Sequence, residues 1–182
     1  MKVISGIYKG RNIEGFDIEG TRPTMDRVKE SLFAMIQNYI SESIILDLFS
    51  GSGNLAIESL SKGASYAHIV DSNKKAINTI KRNIKNIGIK NCNILNIDYQ
   101  KALKYYSENN IMFDIIFLDP PYKTNYIEKA IKLIDKYKLL NENGIIVAES
   151  NFLDKIIYPD GYEIIKSKKY KDKWVAILRQ LW

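Results

Sequence analysis

The chain has 182 residues, enough for one domain whose core can stand without disulfides or a structural metal. Its one cysteine, Cys92, and one histidine, His68, exclude an internal disulfide, a multi-cysteine zinc site and histidine-based triads. A formal charge of +6 and a pI of about 9.2 favour a polyanionic partner, although lysine far outnumbers arginine, as it does in AT-biased genomes.

Met1 to Ile13 carries basic groups but no apolar signal-peptide core. No later run approaches the roughly eighteen apolar residues of a membrane span, so a cytoplasmic protein is expected. Val3 to Ile13, with Gly6 and Gly10, predicts a small β-hairpin inside an N-terminal extension over residues 1–20. Met25, Val28, Leu32, Met35, Ile36 and Tyr39 then recur at helical spacing, behind Arg22, Pro23 and a capping Thr24. From Ile44 onward, buried strands are predicted over Ile44 to Leu48, Ala67 to Val70, Asn93 to Ile97, Ile115 to Leu118 and Ile145 to Ala148. Between them lie helical patterns over Asn54 to Ser61, Lys74 to Ile87, Tyr99 to Tyr106 and Tyr126 to Tyr137. Strict alternation of the two predicts an α/β fold, a mostly parallel sheet with helices on both faces. Tyr162 to Ser167 and Trp174 to Leu178 predict a closing antiparallel pair across a Lys168 to Lys173 turn, and residues 21–182 form a single core domain.

The basic charge is clustered. Lys74, Lys75, Lys81, Arg82, Lys85, Lys90, Lys101 and Lys104 meet only Asp98, and Lys166, Lys168, Lys169, Lys171 and Lys173 meet only Asp172. Each run reads equally as a nucleic-acid contact or as a solvated face.

Residues 44–54 run from a strand through Gly51 and Gly53 into a helix, a turn whose backbone can approach a ligand closely. Asp71, twenty residues beyond Gly51 at the end of the second strand, suits two ribose hydroxyls. Asp47, four residues ahead of Gly51, could face an ammonium or a sulfonium, where a dinucleotide enzyme needs bare amides for pyrophosphate. Asp98, beside Tyr99, suits an exocyclic adenine amine. A helix cap at a strand–helix junction is the alternative for each aspartate taken singly.

Phe113 to Tyr122 is a buried strand ending in Asp119-Pro120-Pro121-Tyr122. A base amine is a poor nucleophile because its lone pair is delocalised into the ring. Two acceptors at fixed separation, the Asp119 carboxylate and the Pro120 carbonyl, could draw its hydrogens out of the ring plane, with the prolines keeping the bend rigid. Tyr122 offers a surface for a flipped base. Positive charge developing on nitrogen would lie beside Asp119, and no metal or covalent nucleophile is required.

With these segments in view, the chain resembles the RsmD-type family of bacterial small-subunit ribosomal RNA guanine-N2 methyltransferases. The resemblance rests on Ile4 to Arg11, Arg22 to Phe33, Asp47 to Gly53 and Asp119 to Tyr122, of which Arg22 to Phe33 is the most particular to the family. It implies a Rossmann-like class I methyltransferase with a seven-stranded sheet, S-adenosylmethionine as donor and S-adenosylhomocysteine as product. It also implies a guanine of 16S rRNA as acceptor, presented by assembled small-subunit particles to a monomeric enzyme. Residues matching Asp47, Phe49, Gly51, Gly53, Asp71, Asp98 and Tyr99 would line the donor pocket, and Asp119, Pro120, Pro121 and Tyr122 would hold the acceptor amine. Arg22, Thr24, Arg27 and Lys123 would stand near the shared mouth; for Arg27 a surface ion pair with Glu30 is the alternative.

Rival readings are a DNA adenine-N6 methyltransferase, which would need an added target-reading region, and a methyltransferase of protein glutamine. A nicotinamide oxidoreductase would leave Asp119 to Tyr122 unexplained, and a non-catalytic RNA-binding module would have no use for a donor pocket.

Overall fold

A computed structural model describes residues 1–15, 26–121, 125–151, 156–170 and 173–181. The elements in chain order are α1 (Asp26–Met35), α2 (Gln37–Ile40), β1 (Ile44–Asp47), α3 (Asn54–Ser61), β2 (Tyr66–Val70), α4 (Lys74–Ile87) and β3 (Cys92–Leu95). They continue with α5 (Tyr99–Glu108), β4 (Phe113–Leu118), α6 (Tyr126–Tyr137), β5 (Leu140–Ser150), β6 (Tyr162–Tyr170) and β7 (Lys173–Gln180).

The strands form one seven-stranded sheet in the order β3-β2-β1-β4-β5-β7-β6. The first five are mutually parallel; β7 is antiparallel to β5, and β6 is antiparallel to β7. Two successive reversals leave β6 running in the same direction as β5. The sheet order therefore changes direction between β1 and β4, where an open parallel sheet leaves a crevice at its carboxyl edge.

Branched residues fill the central strands because both sheet faces are covered. On one face α1, α3 and α4 bury Leu32, Phe33, Ile57, Ile77 and Ile80 against Ile45, Ile115 and Ile177. On the other, α5 and α6 bury Leu103, Tyr106, Ile131 and Ile134 against Leu46, Ile116 and Leu178. The rings of Tyr66, Tyr106 and Phe113 surround His68, whose burial pushes its pKa down to about 4 and keeps it neutral.

The N-terminal extension is bolted to α3. Its two arms meet at one antiparallel bridge, Lys2 with Asn12, instead of a long ladder, because much of its backbone bonding goes elsewhere. The Glu58 carboxylate accepts from the Ile4 and Ser5 amides, and the Ser61 carbonyl and hydroxyl accept from Ile7 N at 2.8 Å and Tyr8 N at 3.0 Å. Lys29 of α1 is fully buried and closes the assembly. Its ammonium lies 3.1 Å from Glu58, 2.9 Å from Asn54 Oδ1 and 2.9 Å from the Lys2 carbonyl.

Three expectations need adjustment. The long predicted helix breaks at Ile36 into α1 and α2, and its opening residues, Arg22 to Met25, lie outside the described residues. β5 begins five residues early and accommodates Asn143 with φ 65°, absorbed by a register shift against β4 between Phe113 and Ile115. β6 runs on through Tyr170, because Lys168 and Lys169 complete ladder pairs with Val175 and Trp174 despite their charge.

Gly6 and Gly10 both have φ +83°, but a Cβ on Gly6 would fall 1.7 Å from the Ser61 carbonyl oxygen, whereas one on Gly10 would meet nothing within 4 Å. Gly10→Ala should therefore cost only the left-handed backbone penalty, about 1–2 kcal/mol. Gly6→Ala should cost roughly 2 kcal/mol more, because the extension must leave α3. Urea unfolding of the two variants measures the difference, and equal losses would contradict the packing described.

Candidate active site

The carboxyl ends of β1, β2, β3 and β4 carry Asp47, Asp71, Asp98 and Asp119 in turn. Each follows from the same local rule: the strand's apolar run ends, and the chain turns toward a helix on one face.

Asp47 ends β1 and is 1 % exposed, with Oδ2 facing the Ala56 amide of α3 at 3.3 Å. Its pKa is raised to about 7, chiefly by burial and in smaller part by the charges of Asp119 and Asp71, against the Ala56 amide, which lowers it. The loop after β1 is clamped by Ser50, whose hydroxyl donates to the Asp47 carbonyl at 2.6 Å and accepts from Val70 N at 3.1 Å. Gly51 and Gly53 take φ 56° and 77°, and Gly53 stands at the N-cap of α3.

Asp71 Oδ2 accepts from Gly51 N at 2.9 Å, while Oδ1 accepts from Asn73 N at 2.8 Å. One carboxylate thus fixes the glycine turn and the entry to α4 together. Desolvation is the main cause raising its pKa. Asp98 caps α5 through the Gln100 amide at 2.8 Å, as the helix-cap alternative has it, and stays exposed.

Phe49, Tyr99 and Tyr126 form a ring cluster at this edge, with centroids 5.3 Å apart for Phe49–Tyr99, 5.8 Å for Phe49–Tyr126 and 5.3 Å for Tyr99–Tyr126. Phe49 and Tyr126 keep partly exposed faces. Tyr126 was not among the predicted site residues; it opens α6 in a stripe shared with Ala130 and Ile134, which in sequence reads as core.

A further participant hidden in the sequence is Asn83 on α4, 1 % exposed. Its Oδ1 accepts from Glu14 N at 2.8 Å, and its Nδ2 donates to the Glu14 and Ser52 carbonyls at 3.0 Å each. The N-terminal extension is thereby tied to the glycine turn.

Asp119 follows β4 and is half-buried, with Pro120 buried and Pro121 half-buried behind it. Asp47 lies opposite Phe117 in the β1–β4 ladder, so Asp119, two residues further on, leaves the sheet at the same carboxyl edge. Tyr122, Lys123, Arg22 and Thr24 lie outside the described residues. Arg27 is exposed near the start of α1, and no ion pair between it and Glu30 is present among the described residues. Lys173 corrects the reading of the second lysine run: it is buried and ion-paired with Glu149 at the carboxyl end of β5. Among the described residues no three His, Cys, Asp or Glu side chains are placed to hold a metal ion, and no helix is long and apolar enough to cross a membrane.

A family model described as Conserved hypothetical protein 95 matches residues 1–179. YlbH of Bacillus subtilis is 45% identical over 150 residues, 82% of each chain. Ribosomal RNA small subunit methyltransferase D of Buchnera aphidicola subsp. Acyrthosiphon pisum is 37% identical over 166 residues, 91% of this chain and 86% of that one. The chain belongs to this family, the RsmD-type methyltransferases. Among solved structures, HI0767 of Haemophilus influenzae superimposes with a TM-score of 0.80 at 29% identity, over 99% of this chain and 98% of that one. The architecture is the Rossmann-like fold of class I methyltransferases.

Burial holds the pKa of Asp47 up at about 7, so a positive charge placed beside it would shift its ionisation. Without a ligand, its raised pKa means that stability falls as pH rises from 3.8 to about 7. A cation bound beside it favours the ionised form, so affinity for S-adenosylmethionine should climb as pH rises through about 7 and level off above. Calorimetry between pH 5.5 and 8.5 checks this. Asp47→Asn should bind more weakly with a flat profile, and a wild-type affinity independent of pH would remove Asp47 from the donor site.

Proposed function

We propose that this protein transfers a methyl group from S-adenosylmethionine to the exocyclic N2 amine of a guanine in 16S rRNA, acting as a monomer on small-subunit particles. One observation carries the reading: the buried Asp47 lies opposite Phe117 in the β1–β4 ladder, so Asp119, two residues on at a double-proline bend, stands at the same sheet edge. A grip for a hydrogen-bond donor thus adjoins a pocket suited to a cation.

The residues present fit the donor. The anionic edge formed by Asp47 and Asp71 complements its cationic half, the Gly51–Gly53 turn leaves backbone room, and the Phe49, Tyr99 and Tyr126 rings supply flat surfaces for adenine. Asp71 retains lone pairs for the ribose hydroxyls beyond the two amides it already accepts. Asp98 faces the adenine amine. When bound, the donor supplies an electrophilic methyl carbon on a sulfonium.

The chain's own part is positioning and electrostatics. Asp119 and the Pro120 carbonyl accept the two amine hydrogens, hold the nitrogen in line and turn its lone pair out of the ring plane. Tyr122 is assigned to the guanine face, and Arg22, Thr24, Arg27 and Lys123 to contacts with the RNA. Holding two reactants in line can supply about 7–11 kcal/mol of the barrier reduction. The Asp119 carboxylate stabilises the charge that develops on nitrogen, and the displaced proton leaves after transfer to solvent. Relatives named for small-subunit rRNA methylation support this polymer as acceptor over DNA.

Asp119→Ala should lower methyl transfer to 16S rRNA by about 100-fold or more while leaving S-adenosylmethionine affinity within roughly twofold. The assay is labelled methyl transfer to small subunits from a strain lacking the gene, with the nucleoside product resolved by mass spectrometry. N2-methylguanosine is the expected product. N6-methyladenosine, or an Asp119→Ala rate near that of the parent, would overturn the assignment.

A further inference from the structure

The two lysine-rich stretches separate in space. Lys81, Lys85 and Lys90 lie on the exposed side of α4 and in the loop after it, with no partner among the described residues. The β6 lysines are held. Lys166 donates to the Met35 carbonyl at 3.0 Å; Lys168 donates to Ser31 Oγ at 2.8 Å and lies 5.3 Å from the Tyr170 ring centre. Tyr170 in turn donates to Ser31 at 2.7 Å, and Lys169 stands 5.4 Å over the Trp174 ring.

These contacts set α1 alongside β6 in opposite directions: Met35 at Lys166, then Ser31 at Lys168. Arg27 is exposed one turn before Ser31 on the same α1 stripe, toward the end of β6 where Tyr170 bonds Ser31. Because β6 runs parallel to β5, this is the carboxyl edge of the sheet, the edge that carries Asp119. The ladder pairs confirm the level, with Leu118 opposite Ala148, Ser150 opposite Trp174, and Trp174 opposite Lys169. From β4 across β5 and β7 to β6 is three strand spacings, about 14 Å.

We propose that Arg27, Lys166 and Lys168 on the α1 face, with Lys169 reaching round from the opposite face of the same strand end, dock the phosphate backbone of the acceptor RNA flanking its target base, and that the α4 lysines take no part. This rests on the RNA methyltransferase reading above. Lysines held by neighbouring groups lose less freedom on binding than lysines waving in solvent, so equal charge on the two surfaces gives unequal affinity. Their place on the acceptor side of Asp119 leaves the donor side of the edge, β1 to β3, clear for the nucleoside.

The test compares Lys166→Gln/Lys168→Gln/Lys169→Gln with the charge-matched Lys81→Gln/Lys85→Gln/Lys90→Gln. Labelled methyl transfer to 16S rRNA in small subunits is measured from 50 to 200 mM salt, with S-adenosylmethionine affinity as the control on the fold. The β6 variant should raise the RNA KM at least tenfold and reduce the slope of log affinity against log salt by about two to three. The α4 variant should keep both near parental values. Equal effects in the two variants, or none in either, would overturn the proposal while the parent still methylates rRNA. A parent that methylates no rRNA would instead overturn the reading on which it rests.

Discussion

Like charges resist being gathered in a place that water cannot reach, and this protein gathers them at one edge. Asp47 is nearly sealed from solvent, and both Asp71 and Asp119 add to the cost of ionising it. Such a grouping persists only where the fold fixes its members by other bonds. Two backbone amides fix Asp71, the Ala56 amide meets Asp47, and two consecutive prolines stiffen the chain behind Asp119. On the proposed function, a sulfonium-bearing nucleoside with an ammonium group would favour the ionised form of Asp47. In the proposed reaction, chemistry at the bend would draw on the same source, since an amine attacking a methyl carbon gains positive charge beside the Asp119 carboxylate.

The remainder of the molecule keeps this edge in shape. The Lys29–Glu58 ion pair lies wholly inside the protein, and removing one partner of such a pair commonly costs about 3–5 kcal/mol because the other is stranded. Through it, and through Ser61 and Asn83, residues 1–14 are fastened to α3 and α4, the helices that begin beside the glycine turn and Asp71. The extension is thus a brace for the donor side of the crevice. β6 and β7 do the corresponding work on the acceptor side, where Glu149 and Lys173 neutralise each other beneath the surface.

Much of the fold could be read along the chain because its strands are short, apolar and sharply bounded. Asn54 to Ser61, Lys74 to Ile87 and Tyr126 to Tyr137 were placed to the residue. The aspartates at the strand ends were legible for the same reason, since a carboxylate directly after a buried run has few packing roles. What stayed hidden depends on contacts between distant segments. Lys29 looks like an ordinary helix-surface lysine until Glu58, Asn54 and Lys2 close on it, and Asn83 looks like a polar interruption in an apolar stripe until Glu14 and Ser52 arrive. Lys173 shares a basic run with the surface lysines of β6, and pairing with Glu149 in the neighbouring strand buries it. Local polarity likewise shortened β6, where ladder bonds to β7 outweigh the charge on Lys168 and Lys169.

A crystal structure with S-adenosylhomocysteine bound would test the central arrangement most directly. The account places the ribose hydroxyls on Asp71, the amino group toward Asp47, and the sulfur facing the Asp119–Pro120 bend across a gap wide enough for one methyl group and one base nitrogen. A nucleoside held elsewhere, or a sulfur turned away from that bend, would contradict it.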